Sequence, residues 1–296
     1  MTAPRHAPAA ASVASQGFIL VAVLWILGAL AAFVSIYALY IGNTAAAAAA
    51  RDEAVTTRSL ATAAVELAAF RLVSVPKAER ASRGEIRFRM GKARIFAVFQ
   101  DETARIDLNT APPELLAGLF TVLGAQPSEA TRYAQRIVGW RGPPADLSDQ
   151  GQEAALYRDA GMGYMPRAGP FVHAEELWRV ADLPPALVEA ALPYVTVFSG
   201  RPMVNLHDAD PLVRAAAAAA PEPAVAPGEE APAPADAVKP SDAVRVSVRI
   251  DFDGRRSRFL EAVILVRAFA DAPYRLLSWR EDAAPSAALA RTGGRP

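Results

Sequence analysis

Phe18 to Gly42 reads FILVAVLWILGALAAFVSIYALYIG, and Gly17 precedes it. No Asp, Glu, Lys or Arg stands anywhere between Arg5 and Arg51. As a helix, such a stretch rises about 37 Å, enough to cross a hydrocarbon core of about 30 Å with some tilt. A helix satisfies its own backbone polar groups, which lipid requires. Tyr37 and Tyr40 sit towards one end, where amphipathic rings anchor at a membrane interface.

The flanks refine this. Met1 to Gln16 is small, Pro-containing and poorly charged, with Arg5 and His6 its only basic residues. An ordinary secretory signal has a basic start, a shorter apolar core and a small-residue cleavage site. Ala29-Leu30-Ala31 imitates such a site, but a cut there leaves Phe33, Val34, Ile36, Tyr37, Leu39, Tyr40 and Ile41 at the start of the mature chain. Gln16-Gly17-Phe18 followed directly by a long apolar helix resembles instead the processing site of type IV pilin-like proteins. Downstream, Ala45 to Ala50 is ideal helix former. Leu60, Ala63, Leu67 and Phe70 then recur at helical spacing as one apolar stripe, with Arg58, Glu66 and Arg71 facing water. Pro76 disfavours helical geometry at Val75, so the helix should stop near Ser74, about 85 Å from Phe18.

Strand signals follow. Ile86, Phe88 and Met90 alternate with Glu85, Arg87 and Arg89, and Arg94 to Phe99 returns after Gly91-Lys92. Near the other end Val244, Val246, Val248, Ile250 and Phe252 point one way, and Arg245, Ser247, Arg249 and Asp251 the other. Asp253-Gly254 is a two-residue hairpin signal. Phe259 to Val266 and Tyr274 to Trp279 supply two more strands. The expectation is an α+β fold: a long N-terminal transmembrane helix packed on an antiparallel sheet drawn from both ends of the chain, with a large inserted all-α domain. In the insertion, helices are expected at about 112–121, 128–139, 173–181 and 185–192, with Trp140 and Trp178 in their core and His173 near a helix start. Ala215 to Ser241 is Ala/Pro-rich and reads as a flexible excursion. The residues after Glu281 read as a mobile tail.

Composition excludes much chemistry. The chain of 296 residues has a formal net charge of +0, which gives no general pull towards nucleic acid. With Cys 0, thiol catalysis, thiolate metal sites and disulfides are absent. His6, His173 and His207 are too scattered for a local metal motif, and neither a nucleophile elbow nor a phosphate loop occurs. No enzyme is expected.

Further motifs are Asp101-Glu102 leading to Ile106-Asp107-Leu108-Asn109-Thr110, Pro170-Phe171 leading to Glu175-Glu176-Leu177, and Val204-Asn205-Leu206-His207-Asp208-Ala209-Asp210-Pro211. Their order, with Gly17-Phe18 and the long helix, resembles the general secretion pathway protein K family, the large minor pseudopilins of type II secretion, over about 17–280. The resemblance implies a pilin-like fold laid out as a leader over 1–17, a transmembrane part over 18–42, a body over 43–108, an inserted helical domain over 109–195, the rest of the body over 196–280 with the flexible segment 215–241, and the tail 281–296. It implies cleavage between Gly17 and Phe18 by prepilin peptidase and N-methylation of Phe18. It also implies a single-pass inner-membrane protein with a periplasmic body, a place at the tip of a short pseudopilus, and other minor pseudopilins and the major pseudopilin as partners. Ala22, fifth from Phe18, stands where fibre-forming relatives usually carry glutamate. No cofactor is certain, but the family is associated with calcium, and Asp146, Asp149 and Glu153 are the candidate ligands in a polar loop. Arg141-Gly142-Pro143-Pro144 replaces the acidic run of the family there.

The alternative is a membrane-anchored helix-hairpin-helix DNA receptor of the competence type, which Ile106 to Ala111 and the paired helices also resemble. Such hairpins bind phosphate through backbone N–H groups at Gly-rich turns. Here the turns read Leu123-Gly124-Ala125-Gln126-Pro127 and Asp182-Leu183-Pro184-Pro185, and the prolines remove donors. Arg132, Arg136 and Arg141 read equally as a solvated helix face. Nucleic acid is not an expected partner.

Overall fold

The computed structural model describes residues 14–142, 147–220, 238–252, 256–267, 269 and 272–281, with backbone only for 14–17 and 147–152. The chain divides into two compact units, Met1–Arg58 and Ser59–Pro296.

The first unit is the bulk of helix α1, Ala14–Val73. Among the described residues it is the one helix long and apolar enough to cross a membrane. Its large side chains, Trp25, Phe33 and Leu39 among them, point outwards. The hydroxyls of Ser35 and Thr44 donate to the carbonyls of Ala31 and Tyr40, each at 2.8 Å, so neither needs a partner outside the helix.

In the second unit, the end of α1 packs on a five-stranded antiparallel sheet. Its strands are β1 (Arg83–Met90), β2 (Ala93–Asp101), β5 (Ala243–Phe252), β6 (Arg256–Leu265) and β7 (Arg275–Glu281), in the order β1-β2-β5-β6-β7. The expected alternation holds: Val244, Val246, Val248 and Ile250 face the helix, with Ile95 and Ala97 from β2 and Ala262 and Ile264 from β6. The Asp253-Gly254 turn lies outside the described residues; pairing closes with Phe252 opposite Arg256.

The expected helix stripe is corrected. The buried face of α1 is Leu60, Ala61, Ala64, Val65, Ala68, Ala69 and Leu72, whereas Phe70 is 69% exposed. Four alanines let the helix backbone approach the pleated surface, and close approach buries more sheet than a ridge of large side chains would. The helix ends at Val73, as Pro76 requires, and Ser74 donates both its N–H and its hydroxyl to the Phe70 carbonyl.

Between β2 and β5 lies the insertion. Two short strands, β3 (Ile106–Asp107) and β4 (Val195–Thr196), pair in parallel and close its neck. Above them are α2 (Pro113–Val122), α3 (Pro127–Arg141), α4 (Leu147–Asp159), a 3-10 helix Ala174–Arg179, α5 (Pro185–Ala191) and α6 (Pro211–Ala219). Trp140 stacks obliquely on Tyr157 and Phe171, with ring centres 6.0 and 6.1 Å away.

Three expectations change here. Helix α4 arises from a stretch read as a polar loop, and it is anchored by fully buried Tyr157. Trp178, expected in the core, is 48% exposed. Helix α6 runs to Ala219, so the segment expected to be flexible from Ala215 begins as helix, and 221–237 lies outside the described residues. The cause is Gly118 on α2: a Cβ there would meet the Ala216 carbonyl at 2.2 Å, so glycine lets α6 lie against α2. Val204, Ala209, Val213 and Ala216 consequently belong to the helical core rather than to the second part of the body.

Candidate functional site

The motif Asp101 to Asn109 acts as a set of staples. Asp101 accepts from the Thr103 N–H and hydroxyl, both at 2.8 Å, and from the Ser241 N–H, which pins the point where the chain re-enters the sheet. Burial raises the Asp101 pKa, against the pull of these donors. Asp107 accepts from the Asn109 N–H on one oxygen, and from the Ser199 hydroxyl and Gly200 N–H on the other. The Asn109 amide takes the N–H of Phe171 at 2.7 Å and gives to its carbonyl at 3.0 Å, standing in for a strand neighbour. Glu176 binds the Trp140 indole N–H and the N–H groups of Val172 and His173 at the start of the 3-10 helix. His173, expected near a helix start, holds the cap position.

The deepest polar group is Glu102, which is fully buried. Arg245 of β5 grips it with two bonds, Nε at 2.6 Å and Nη2 at 3.0 Å, and the Thr196 hydroxyl of β4 also donates to it. Arg245 reaches Glu261 of β6 at 2.5 Å. Glu261 lies 3.9 Å from Arg280 of β7, which in turn meets Glu175 of the insertion at 3.3 Å. The outer face of the sheet is thus tied to the insertion at both Thr196 and Glu175. Burial pushes the Glu102 pKa up, but the Arg245 and Arg105 charges outweigh it and the net shift is downwards. Arg105, beside them, is lowered to about 10 by burial and by Arg245. Arg245, Glu261 and Arg280 escaped the sequence reading. A charged residue alternating with valines reads as solvent-facing, and only the fold reveals the layer that covers it.

The three arginines weighed for phosphate binding are occupied. Arg132 pairs with Asp182 at 2.8 Å, Arg136 with Glu153 at 3.2 Å, and Arg141 donates to the carbonyls of Leu108 and Ala111 at 2.7 and 2.8 Å. Of the calcium candidates, Asp146 lies outside the described residues, and the Asp149 side chain does too. Glu153 accepts from Arg136 on one oxygen, at 3.2 Å, while its other oxygen is buried without a partner among the described residues. No group of three or more His, Cys, Asp or Glu side chains able to hold a metal occurs among the described residues. Of the three candidates, Glu153 is the one whose side chain is described.

The Gly17-Phe18 junction and Ala22 all lie on α1, away from this network in sequence. Residues 99–200, from the end of β2 through the neck to Gly200, match the family described as type II secretion system (T2SS), protein K. Over these residues the chain is similar to protein K of type II secretion. The matched stretch holds Glu102, Asp107, Asn109, Phe171 and Glu176, the residues that staple the neck. A chain of the crystal structure of the GspK-GspI-GspJ complex from the enterotoxigenic Escherichia coli type 2 secretion system has the same fold, with a TM-score of 0.58 and 15% sequence identity, over 79% of this chain and 99% of that one. A search of curated proteins finds no match. The protein K match thus follows, in the same chain, a helix long and apolar enough to cross a membrane.

Proposed function

We propose that this chain is a minor pseudopilin that caps the tip of a periplasmic pseudopilus and helps start its assembly for export across the outer membrane. The observation that carries this reading is the stretch similar to protein K, inserted into a pilin-like body behind a membrane-length helix. Its expected partners are other minor pseudopilins, of the kinds seen with the E. coli relative, and the major pseudopilin below. Before assembly its helix sits in the inner membrane with the body in the periplasm.

Ala22 supports the tip position. A carboxylate at bilayer depth costs of order 2.5–3.5 kcal/mol on insertion scales, so it is retained where a partner rewards it. The partner in a pilin-like fibre is the N-terminal amine of the subunit above. A subunit with Ala22 lacks that ligand, while its own Phe18 amine can still receive the glutamate of a subunit arriving below. Quantitative mass spectrometry of sheared pseudopili should find a few copies of this chain per fibre; copy numbers close to those of the major subunit would refute the cap.

Processing belongs to the same reading. Prepilin peptidase cuts between Gly17 and Phe18, and the new Phe18 amine is methylated. Intact-mass measurement of the membrane-extracted chain should give a methylated Phe18 start. A start at Ala32 or Phe33, or an uncut leader in a host with the peptidase, would contradict it.

A further inference from the structure

The insertion covers only part of the outer face of the sheet. Around the β1–β2 turn, Arg87, Arg89, Lys92 and Arg94 are exposed. Gly91, at φ +58, makes the turn that brings Arg89 directly opposite Arg94 in the register. Like charges facing each other across a strand pair destabilise it. The carboxylates nearby are committed elsewhere: Glu85 to Arg87 at 2.9 Å, and Asp251, which faces Arg94 from β5, to Arg249 at 3.4 Å and the Ser257 hydroxyl at 2.7 Å. Among the described residues, the side chains of Arg89, Lys92 and Arg94 have no ion-pair or hydrogen-bond partner. The chain as a whole has a net charge of +0, so this concentration does not reflect a generally basic protein.

Protection of an edge strand against aggregation accounts for charges on β1. It does not account for Arg94, which stands on β2, paired on both sides. The patch also has an apolar part. Half-buried Phe96, opposite Arg87 in the register, lies under the guanidinium groups of Arg87 and Arg249, 5.8 and 4.6 Å from the ring centre. Arginine and phenylalanine are enriched where proteins meet, and lysine is depleted there. Planar guanidinium groups match carboxylates two bonds at a time.

We propose that this face of the sheet binds an acidic protein surface, with partner carboxylates seated between Arg89 and Arg94 and with Phe96 as the apolar contact. The facing arginines, unfavourable in the free chain, become favourable when an anion lies between them. The proposal does not depend on the tip position.

The test uses the full chain in neutral-detergent micelles and a fluorescein-labelled hexaglutamate peptide as probe, followed by anisotropy over a salt series. Arg89→Glu with Arg94→Glu should weaken binding at least about tenfold, in line with loss of a pair of charge-assisted contacts. Arg214→Glu, a charge reversal at an exposed position of α6, should leave it unchanged. Equal binding by the double variant, or equal weakening by Arg214→Glu, would overturn the proposal. So would displacement of the peptide by phosphatidylglycerol doped into the micelles, which would make the surface a lipid site. Arg94→Gln adds a second readout: it should weaken peptide binding while raising Tm by about 2 °C, because it removes the like-charge pair. A lowered Tm would mark Arg94 as structural and sink the argument.

Discussion

Glu102 shows how one carboxylate can decide the stability of a joint. It is fully buried and held by Arg245, so replacing it with an uncharged isostere leaves a guanidinium short of its counter-charge. Glu102→Gln should cost about 3 kcal/mol in denaturant unfolding of the detergent-solubilised chain, the lower part of the range for breaking a buried pair, because Glu261 still faces Arg245. A loss under about 1 kcal/mol would show the pair to be energetically idle. Acid should act through the same group. The folded state holds the Glu102 proton less readily than the unfolded state does. Its stabilisation is therefore complete above the ordinary glutamate range and is lost as pH falls through the lowered pKa. Asp101 and Glu153, raised chiefly by burial, act in the opposite sense: the folded chain takes up their protons first, so acid favours it at those two positions. Melting curves between about pH 7 and pH 3 should show a shallower acid slope in Glu102→Gln; an unchanged slope would remove Glu102 from the acid response. At this scale the sequence revealed the motif but not its work. Asp107 and Asn109 could be picked out as a run, yet their partners Ser199, Gly200 and Phe171 are far away in the chain, and no local rule links them.

Elements formed where periodicity is strong and failed where packing, not pattern, decides. The alternation in 244–252 sorted the faces of β5 correctly because a strand repeats every two residues. Helix α1 lies along the expected stretch, and Leu60 and Leu67 of the expected stripe meet the sheet, but Phe70 turns to solvent and Ala61, Ala64, Ala68 and Ala69 fill the contact instead. That difference is testable. Ala64→Leu or Ala68→Leu should lift the helix off the sheet and cost about 1–3 kcal/mol, while Phe70→Ala should change stability by no more than about 0.5 kcal/mol. Reversal of that order in urea unfolding would restore the sequence-based stripe. Helix α4 was hidden because its polar residues imitate a loop, and α6 because an alanine run after Pro211 carries no signal of what it packs against. Gly118 is the missing information. Gly118→Ala should cost about 1–3 kcal/mol through overpacking against Ala216.

For the whole molecule, a membrane-length helix, a pilin-like body and an insertion similar to protein K were all legible from the order of the motifs. The ion-pair chain joining body and insertion was not, since it needs the sheet to bring Arg245, Glu261 and Arg280 into one row. Calcium is expected to do little. With Arg136 on Glu153, about 1 mM calcium should leave the melting temperature of the chain unchanged. A rise that chelator reverses would show a site assembled from other ligands. The most direct measurement concerns position in the fibre. The chain is labelled at a single exposed position of its insertion, pseudopili are sheared from cells, and the label is imaged by electron microscopy. A cap places label at one end of each fibre only; label spread along the shaft would contradict the tip assignment.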